Sequence, residues 1–150
     1  MGQGYQIDVL NNTSRSLAIS PGPSANMSAN SLPTLTLTPN QWLSSNNQNQ
    51  PYYVELDGSD TGFVTIAVSA GSVTSSGSVR VEFDTATLQN FPATICFASA
   101  GDLTPIPVVN GTSVDYIYAT LYLSIWGEWT AGMVVLFEAT GASSQISPPF

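Results

Sequence analysis

The sequence predicts an all-β chain, an antiparallel β-sandwich of roughly nine or ten strands in a single domain. Apolar residues recur at every second position over most of the chain, and no window of helical length carries an apolar stripe at i, i+3, i+4 and i+7. Turn-forming segments separate these runs at the spacing typical of sandwiches and barrels. The length of 150 residues suits one domain, 1–150, built around one core.

The first element is predicted to be an N-terminal hairpin. Ile7, Val9 and Asn11 share one face of the opening strand, the segment NNTS is expected to turn the chain, and Leu17 and Ile19 begin the return. Such a hairpin would belong to an antiparallel sheet.

Less regular sequence follows this hairpin. A loop rich in small and turn residues is predicted over 21–30, and then Leu32, Leu35 and Leu37 belong to a short strand that Pro33 places at a sheet edge. The polar segment around Trp42 is expected to be irregular.

The middle of the chain alternates clearly. The run YYVEL, the turn DGSD and the run GFVTIAVSA predict two further strands, and SVRVEFD predicts a third. In this last run Val79, Val81 and Phe83 are expected to face the core while the charged residues between them face water, which is typical of a half-buried strand.

The last third carries the longest predicted strands. ATICFAS is short and apolar enough for a central strand, and two prolines interrupt TPIPVV. The runs VDYIYATLYLSIW and MVVLFEATG are joined by the tight connection GEWTAG. One face of the first run is aliphatic, with Ile117, Ala119, Leu121, Leu123 and Ile125. The tail, 142–150, is predicted to be a terminal extension.

An aromatic stripe lies on the opposite face of that long strand and provides the predicted binding residues. Tyr116, Tyr118, Tyr122 and Trp126 share this face, and Trp129 lies in the predicted hairpin tip. Two interpretations stay open. The strand could be covered on both faces, or the rings could form a surface that stacks on sugars or enters a membrane interface, since Tyr and Trp are amphipathic.

The charge composition restricts the possible partners. The chain has two basic residues and ten carboxylates, no His, and a net charge of −8. Nucleic acid is not expected as a partner because neutralising phosphates requires a basic surface, and polybasic attraction to anionic lipid is excluded for the same reason. Neutral polar ligands such as sugars or lipid headgroups suit a surface of Ser, Thr, Asn and Gln.

Catalysis is not expected. Without His and Lys the usual general bases are missing, and a nucleophile has no partner to activate it. Cys96, the one cysteine, is interpreted as a buried inert thiol. Glu82 and Asp84 share a face with Arg80 and are interpreted as a solvated edge rather than a catalytic carboxylate pair.

Neither a metal nor a cofactor is predicted. Asp57 and Asp60 in the DGSD segment could offer oxygen ligands to Ca²⁺, but two carboxylates across a glycine are more typical of a plain β-turn. The sequence also shows no recognisable signal peptide and no apolar stretch long enough for a transmembrane helix. The protein is expected to act extracellularly or at a target membrane surface.

Two stretches resemble the aegerolysins, small acidic β-sandwich proteins that include the lesser subunit of some two-component insecticidal toxins. YQIDVLNNTSRSLAIS is similar to their opening strand pair with its Asn-rich turn, and DTGFVTIAVSAGSVTSSGSVRVEFD is similar to their middle region. The resemblance implies a non-enzymatic protein that recognises a membrane lipid or a receptor and recruits a larger pore-forming partner.

Two other functions remain open. A lectin-like carbohydrate-binding module would also explain the neutral polar surface and the aromatic stripe. A self-assembling structural protein of a virus particle or an extracellular filament, and therefore a homo-oligomer, would explain the low charge. The expected partner is accordingly a membrane lipid or a glycan. If the protein belongs to a pore-forming system, a larger pore-forming protein is expected as a second partner.

Overall fold

The computed structural model describes residues 4–71, 75–84, 96–97, 106–110, 113–126 and 129–140. These residues form eleven strands and one short helix. In chain order the elements are β1 (Gly4–Asn12), β2 (Leu17–Pro21), β3 (Met27–Asn30), β4 (Leu35–Leu37), α1 (Leu43–Asn46), β5 (Tyr52–Leu56), β6 (Thr61–Ser69), β7 (Ser76–Asp84), β8 (Cys96–Phe97), β9 (Ile106–Asn110), β10 (Ser113–Trp126) and β11 (Trp129–Thr140). The predicted tail, 142–150, lies outside the described residues.

The strands form two sheets, which confirms the all-β prediction. Sheet 1 has six strands in the order β3-β5-β1-β11-β10-β9, and sheet 2 has five in the order β4-β2-β6-β7-β8. No described helix has the length and hydropathy needed to cross a membrane.

The prediction of purely antiparallel sheets is wrong at the centre of sheet 1. There β1 and β11 run parallel, with Tyr5 opposite Thr130 and Asn12 opposite Phe137, whereas the other pairs are antiparallel. The alternation of side chains has a period of two residues in both kinds of pair, so the sequence pattern does not distinguish them.

The predicted N-terminal hairpin is also wrong, because β1 lies in sheet 1 and β2 lies in sheet 2. Residues 13–16 carry the chain from one sheet to the other. The fully buried Asn11 holds this crossing: its side-chain amide donates hydrogen bonds to the carbonyl oxygens of Arg15 at 2.7 Å and Leu37 at 2.9 Å. Its own carbonyl oxygen accepts from the Thr13 backbone N–H at 3.0 Å. The predicted hairpin would have placed Asn11 on the inner face, and the observed crossing between the sheets places it there as well.

One hydrophobic core draws side chains from both sheets. The rings of Tyr5 in sheet 1 and Phe83 in sheet 2 stack with centroids 4.7 Å apart, and both side chains are buried. The largest buried aliphatic members of this core are Ile7, Leu17, Ile19, Leu37, Leu43, Leu56, Ile66, Ile117 and Leu136. The alternating apolar positions of the long strands are therefore the residues that join the two sheets.

Strand β7 confirms the predicted inward and outward faces. Val79, Val81 and Phe83 are buried, while Arg80 and Glu82 between them are partly exposed. Strand β7 pairs with β6 over nine residue pairs, from Thr61 opposite Asp84 to Ser69 opposite Ser76.

Three shorter elements differ from prediction. Strand β3 lies inside the segment 21–30 that was expected to be a loop, and α1 lies in the segment expected to be irregular. Strand β8 pairs with β7 and stands last in the described order of sheet 2, so the central-strand prediction for ATICFAS is wrong within the described part. Short apolar or polar runs carry too few periods to settle such placements.

Candidate aromatic site on the outer face of sheet 1

The predicted binding residues occupy one face of the hairpin formed by β10 and β11. Tyr118 pairs with Phe137, Tyr122 pairs with Met133, and Trp126 pairs with Trp129. Directly opposed residues lie on the same face of a sheet, and alternate residues of a strand do so too. The backbone positions of Tyr116, Tyr118, Tyr122, Trp126 and Trp129 therefore share a face.

The prediction that Trp129 lies in the hairpin tip is wrong. Trp129 is the first residue of β11 and is directly paired with Trp126, the last residue of β10. Since a pair of opposed residues projects to one side, the two tryptophan positions are adjacent at the end of the hairpin.

The aromatic positions lie on the face of sheet 1 that is turned away from the core, here called the outer face. Ile117 and Ala119, on the alternate positions of β10, are 2% and 8% exposed and belong to the core. This confirms the inward direction of the aliphatic face for these two residues. The side chains of Leu121, Leu123 and Ile125 lie outside the described part of the chain.

The middle of the outer face is apolar. Val134 and Leu136 belong to the core, so Val135 between them projects to the outer face, where it lies opposite Leu10. Both Val135 and Leu10 are buried. Phe137, which pairs with Tyr118, is also buried. The aromatic positions of β10 thus border a covered apolar strip, and their side chains lie outside the described part.

A second group of residues lies on the same face, where β1 begins. Gly4 pairs with Glu55, and in the parallel register Gly4 comes one residue before the pair of Tyr5 and Thr130, next to Trp129. The row across the sheet therefore runs from Glu55 through Gly4 and Trp129 to Trp126.

The side chain of Tyr53 completes this group. Its ring lies so close over Gly4 that a Cβ atom on Gly4 would meet the ring carbon Cζ at 2.9 Å. Its hydroxyl donates a hydrogen bond to Oε2 of Glu55 at 2.6 Å, and this bond to the carboxylate raises the pKa of Tyr53 above its usual value. We call Gly4, Tyr53, Glu55, Trp126 and Trp129 the acid–aromatic corner.

Sequence reasoning missed Tyr53 and Glu55 as site residues. The alternation of YYVEL could have placed them together on the face opposite Tyr52, Val54 and Leu56, which are buried. Their proximity to the tryptophan positions, however, depends on the order β5-β1-β11-β10, which no local pattern specifies.

Both basic residues of the chain are paired, and both lie away from the outer face. Nε of Arg15, at the crossing between the sheets, is 3.6 Å from Oε2 of Glu138. Arg80 lies in sheet 2, with Nε 3.0 Å from Oε1 of Glu82 and its guanidinium carbon 3.7 Å from the centroid of the Phe63 ring. The expected solvated edge is thus an ion pair stacked on an aromatic ring.

The remaining candidates are described only in part. Asp57 closes a local turn: its carboxylate accepts a hydrogen bond from the Ser59 backbone N–H at 2.9 Å, and hydrogen bonds from Ser59 lower its pKa. Among the described residues no group of three or more His, Cys, Asp or Glu could hold a metal ion. The side chains of Cys96 and Asp84 lie outside the described part.

No protein-family model, curated protein or solved structure matches this chain. The resemblance to the aegerolysins rests on the two quoted stretches and stays a prediction.

Proposed function

We propose that the two sheets pack face to face as a β-sandwich that recognises a membrane lipid or a receptor for a cytolytic or insecticidal pore-forming system, without catalysing a reaction. The sandwich is supported by the single core that takes side chains from both sheets and by the stacked rings of Tyr5 and Phe83. The number of strands, roughly nine or ten, stays a prediction because β4 and β8 are very short.

The observation that carries this proposal is the shared face of the five aromatic positions on β10 and β11. Tyrosine and tryptophan combine an apolar ring with a polar tip, and they prefer the boundary between water and the acyl chains of a membrane. Placing Trp126 opposite Trp129 at one end of the hairpin gives a compact pair that could enter this boundary.

The binding would depend on rings and neutral hydrogen-bonding groups. The protein carries a net charge of −8, and its two arginines are paired with Glu138 and Glu82. Long-range attraction to an anionic surface is therefore not its mechanism.

The pore-forming partner is proposed on the aegerolysin resemblance alone. In that arrangement this protein would act extracellularly or at the target membrane surface, and a larger protein would form the pore.

The test is cosedimentation with vesicles of neutral phospholipid, with and without sphingolipid, for the wild type and for Trp129→Ala. We expect the variant to keep its fold by circular dichroism and to bind about tenfold more weakly, because burying an aromatic ring at the interface contributes on the order of 1–2 kcal/mol. The matched control is Phe63→Ala, which removes an aromatic ring from the outward side of sheet 2 and should leave binding unchanged.

Equal binding by Trp129→Ala and wild type would contradict the site. Absence of binding to every vesicle would contradict lipid recognition. Retention on a sugar resin would then indicate a lectin, and a large particle in light scattering would indicate a self-assembling protein.

A further inference from the structure

The chain that follows β2 crosses from sheet 2 to sheet 1 along the sides of two strands. It first runs beside β6, where the Gly22 N–H donates a hydrogen bond to the Thr65 carbonyl oxygen at 2.8 Å. Ala25 and Phe63 then exchange two backbone hydrogen bonds of 3.0 and 3.1 Å. Beyond this point the chain enters β3, which pairs with β5 of sheet 1. We call residues 22–31 the strap.

A second set of hydrogen bonds attaches the strap to β5 and to the turn after it. The Ser31 N–H donates to the Tyr53 carbonyl oxygen at 2.8 Å, and the Ser31 hydroxyl accepts from the Tyr53 N–H at 2.6 Å. The carbonyl oxygen of Asn26 accepts from the Asp57 N–H at 2.9 Å. The strap is therefore hydrogen-bonded to both sheets.

The strap lacks a buried apolar anchor. None of its residues is buried, and among the fully described strands β1 to β6 only β3 has no buried residue. Met27 packs against the core but is only partly buried, and the pairing of β3 with β5 shifts register between Met27 and Ala29. Since burial of apolar surface is the dominant favourable term in folding, the strap is attached mainly by hydrogen bonds that water can replace.

We propose that the strap opens as one unit while both sheets stay folded, and that the closed strap covers the sides of β5 and β6 against pairing with another chain. A segment with few buried apolar contacts and exposed hydrogen bonds opens at a free energy well below that of global unfolding. Unpaired N–H and C=O groups along a strand are a template for pairing with a second chain, which gives the cover its role. The inference does not depend on lipid recognition.

Amide hydrogen exchange of the full chain, followed by NMR, tests the opening. Successive N–H groups of a strand point to opposite neighbours, so Tyr53 and Phe63 bond to the strap, whereas Val54 and Val64 face β1 and β7. We expect the first two amides to exchange at least about 100-fold faster than the second two, because only they are released when the strap opens. Equal protection of Tyr53 and Val54, and of Phe63 and Val64, would overturn the proposal.

A substitution at one end of the strap tests whether it opens as a unit. Ala25→Pro removes the N–H that bonds to Phe63. It should speed exchange about tenfold at Tyr53, at the far end of the strap, as well as at Phe63. Ser24→Ala, a change at the exposed neighbouring residue, is the matched control and should exchange like the wild type. Faster exchange at Phe63 alone would show two independent attachments and overturn the single unit.

A second variant acts from the opposite end if Ala25→Pro fails to fold. Ser31→Ala removes the hydroxyl that accepts from the Tyr53 N–H, and it should speed exchange at Phe63. Unchanged exchange at Phe63 in this variant would likewise overturn the single unit.

Static light scattering tests the covering role. Ala25→Pro should reach a larger mean mass than the wild type and Ser24→Ala at the same protein concentration, because its strand sides are bared more often. Equal masses, in samples where Phe63 exchanges faster in the variant, would overturn the covering role.

Discussion

At the scale of single residues, Asn11 shows how one polar side chain can determine where the chain goes. It is fully buried on the inner face of β1, and its side chain makes hydrogen bonds with Thr13, Arg15 and Leu37. A buried amide is tolerated only when its donors and acceptors are satisfied, and here the partners are the backbone of the crossing itself.

We expect Asn11→Ala to lower the free energy of unfolding by about 3 kcal/mol, because it removes the hydrogen bonds that this buried side chain makes with the carbonyl oxygens of Arg15 and Leu37 and with the Thr13 N–H. Asn12→Ala is the matched control, since Asn12 is half-buried on the outer face opposite Phe137, and it should change stability by less than about 0.5 kcal/mol. Urea unfolding of both variants measures the difference. Equal stability of Asn11→Ala and wild type would show that the amide network is dispensable.

Tyr52 gives a second prediction at this scale. Its side chain is fully buried, its hydroxyl finds no hydrogen-bond partner among the described residues, and burial raises its pKa far above the ordinary value. Above about pH 10 the unfolded chain loses the tyrosine proton while the folded chain retains it, so the unfolded state binds fewer protons. The free energy of unfolding should therefore fall as the pH rises past 10.

Replacement by phenylalanine tests this contribution. Tyr52→Phe should be as stable as the wild type at pH 7, or more stable by up to about 1 kcal/mol, because the buried hydroxyl is removed. Its advantage should grow above pH 10, which thermal unfolding at pH 7, 9 and 11 would measure. A constant difference across this range would contradict the assignment of the pH dependence to Tyr52.

At the scale of elements, the position of β1 within sheet 1 sets its stability. It pairs with β5 on one side and with β11 on the other, and its inner face carries Tyr5, Ile7 and Val9, all fully buried. By contrast β4 has three residues and pairs with β2 alone among the described strands.

Amide hydrogen exchange should therefore be slowest in β1 and in the part of β11 that pairs with it, and fast in β4. A central strand opens only with the global unfolding of the domain, whereas an edge strand opens locally at small cost. Exchange followed by NMR, residue by residue, measures this order. Similar protection of Leu10, which lies opposite Val135 of β11, and of Thr36 would contradict the central position of β1.

At the scale of the whole molecule, the first and last long strands are neighbours. Because β1 pairs with β11, sheet 1 can assemble only when strands from both ends of the described chain are present. This pairing places the hairpin of β10 and β11 next to the beginning of β1. It therefore brings the backbone positions of Trp126 and Trp129 beside Gly4. The acid–aromatic corner exists only because of this long-range pairing.

The chain's alternating pattern predicts much of this architecture without any structure. The inner faces of β1, β7 and the described part of β10 are as the period of two residues requires. The aromatic stripe likewise follows from Tyr116, Tyr118, Tyr122 and Trp126 occupying even positions in one strand. These features are local, because the period of a strand determines which residues share a face.

The partner of each strand was decided by tertiary structure. The segment NNTS could turn a hairpin or cross between sheets with the same inward Asn11, and the burial of its amide against Arg15 and Leu37 selects the crossing. The parallel pairing of β1 with β11 joins residues more than a hundred positions apart. By itself the sequence determined an all-β chain, the inward and outward faces of its long strands and a surface poor in positive charge. Only the tertiary structure decided which faces became neighbours, because hydrogen bonds between strands can form with any partner that also buries the apolar face.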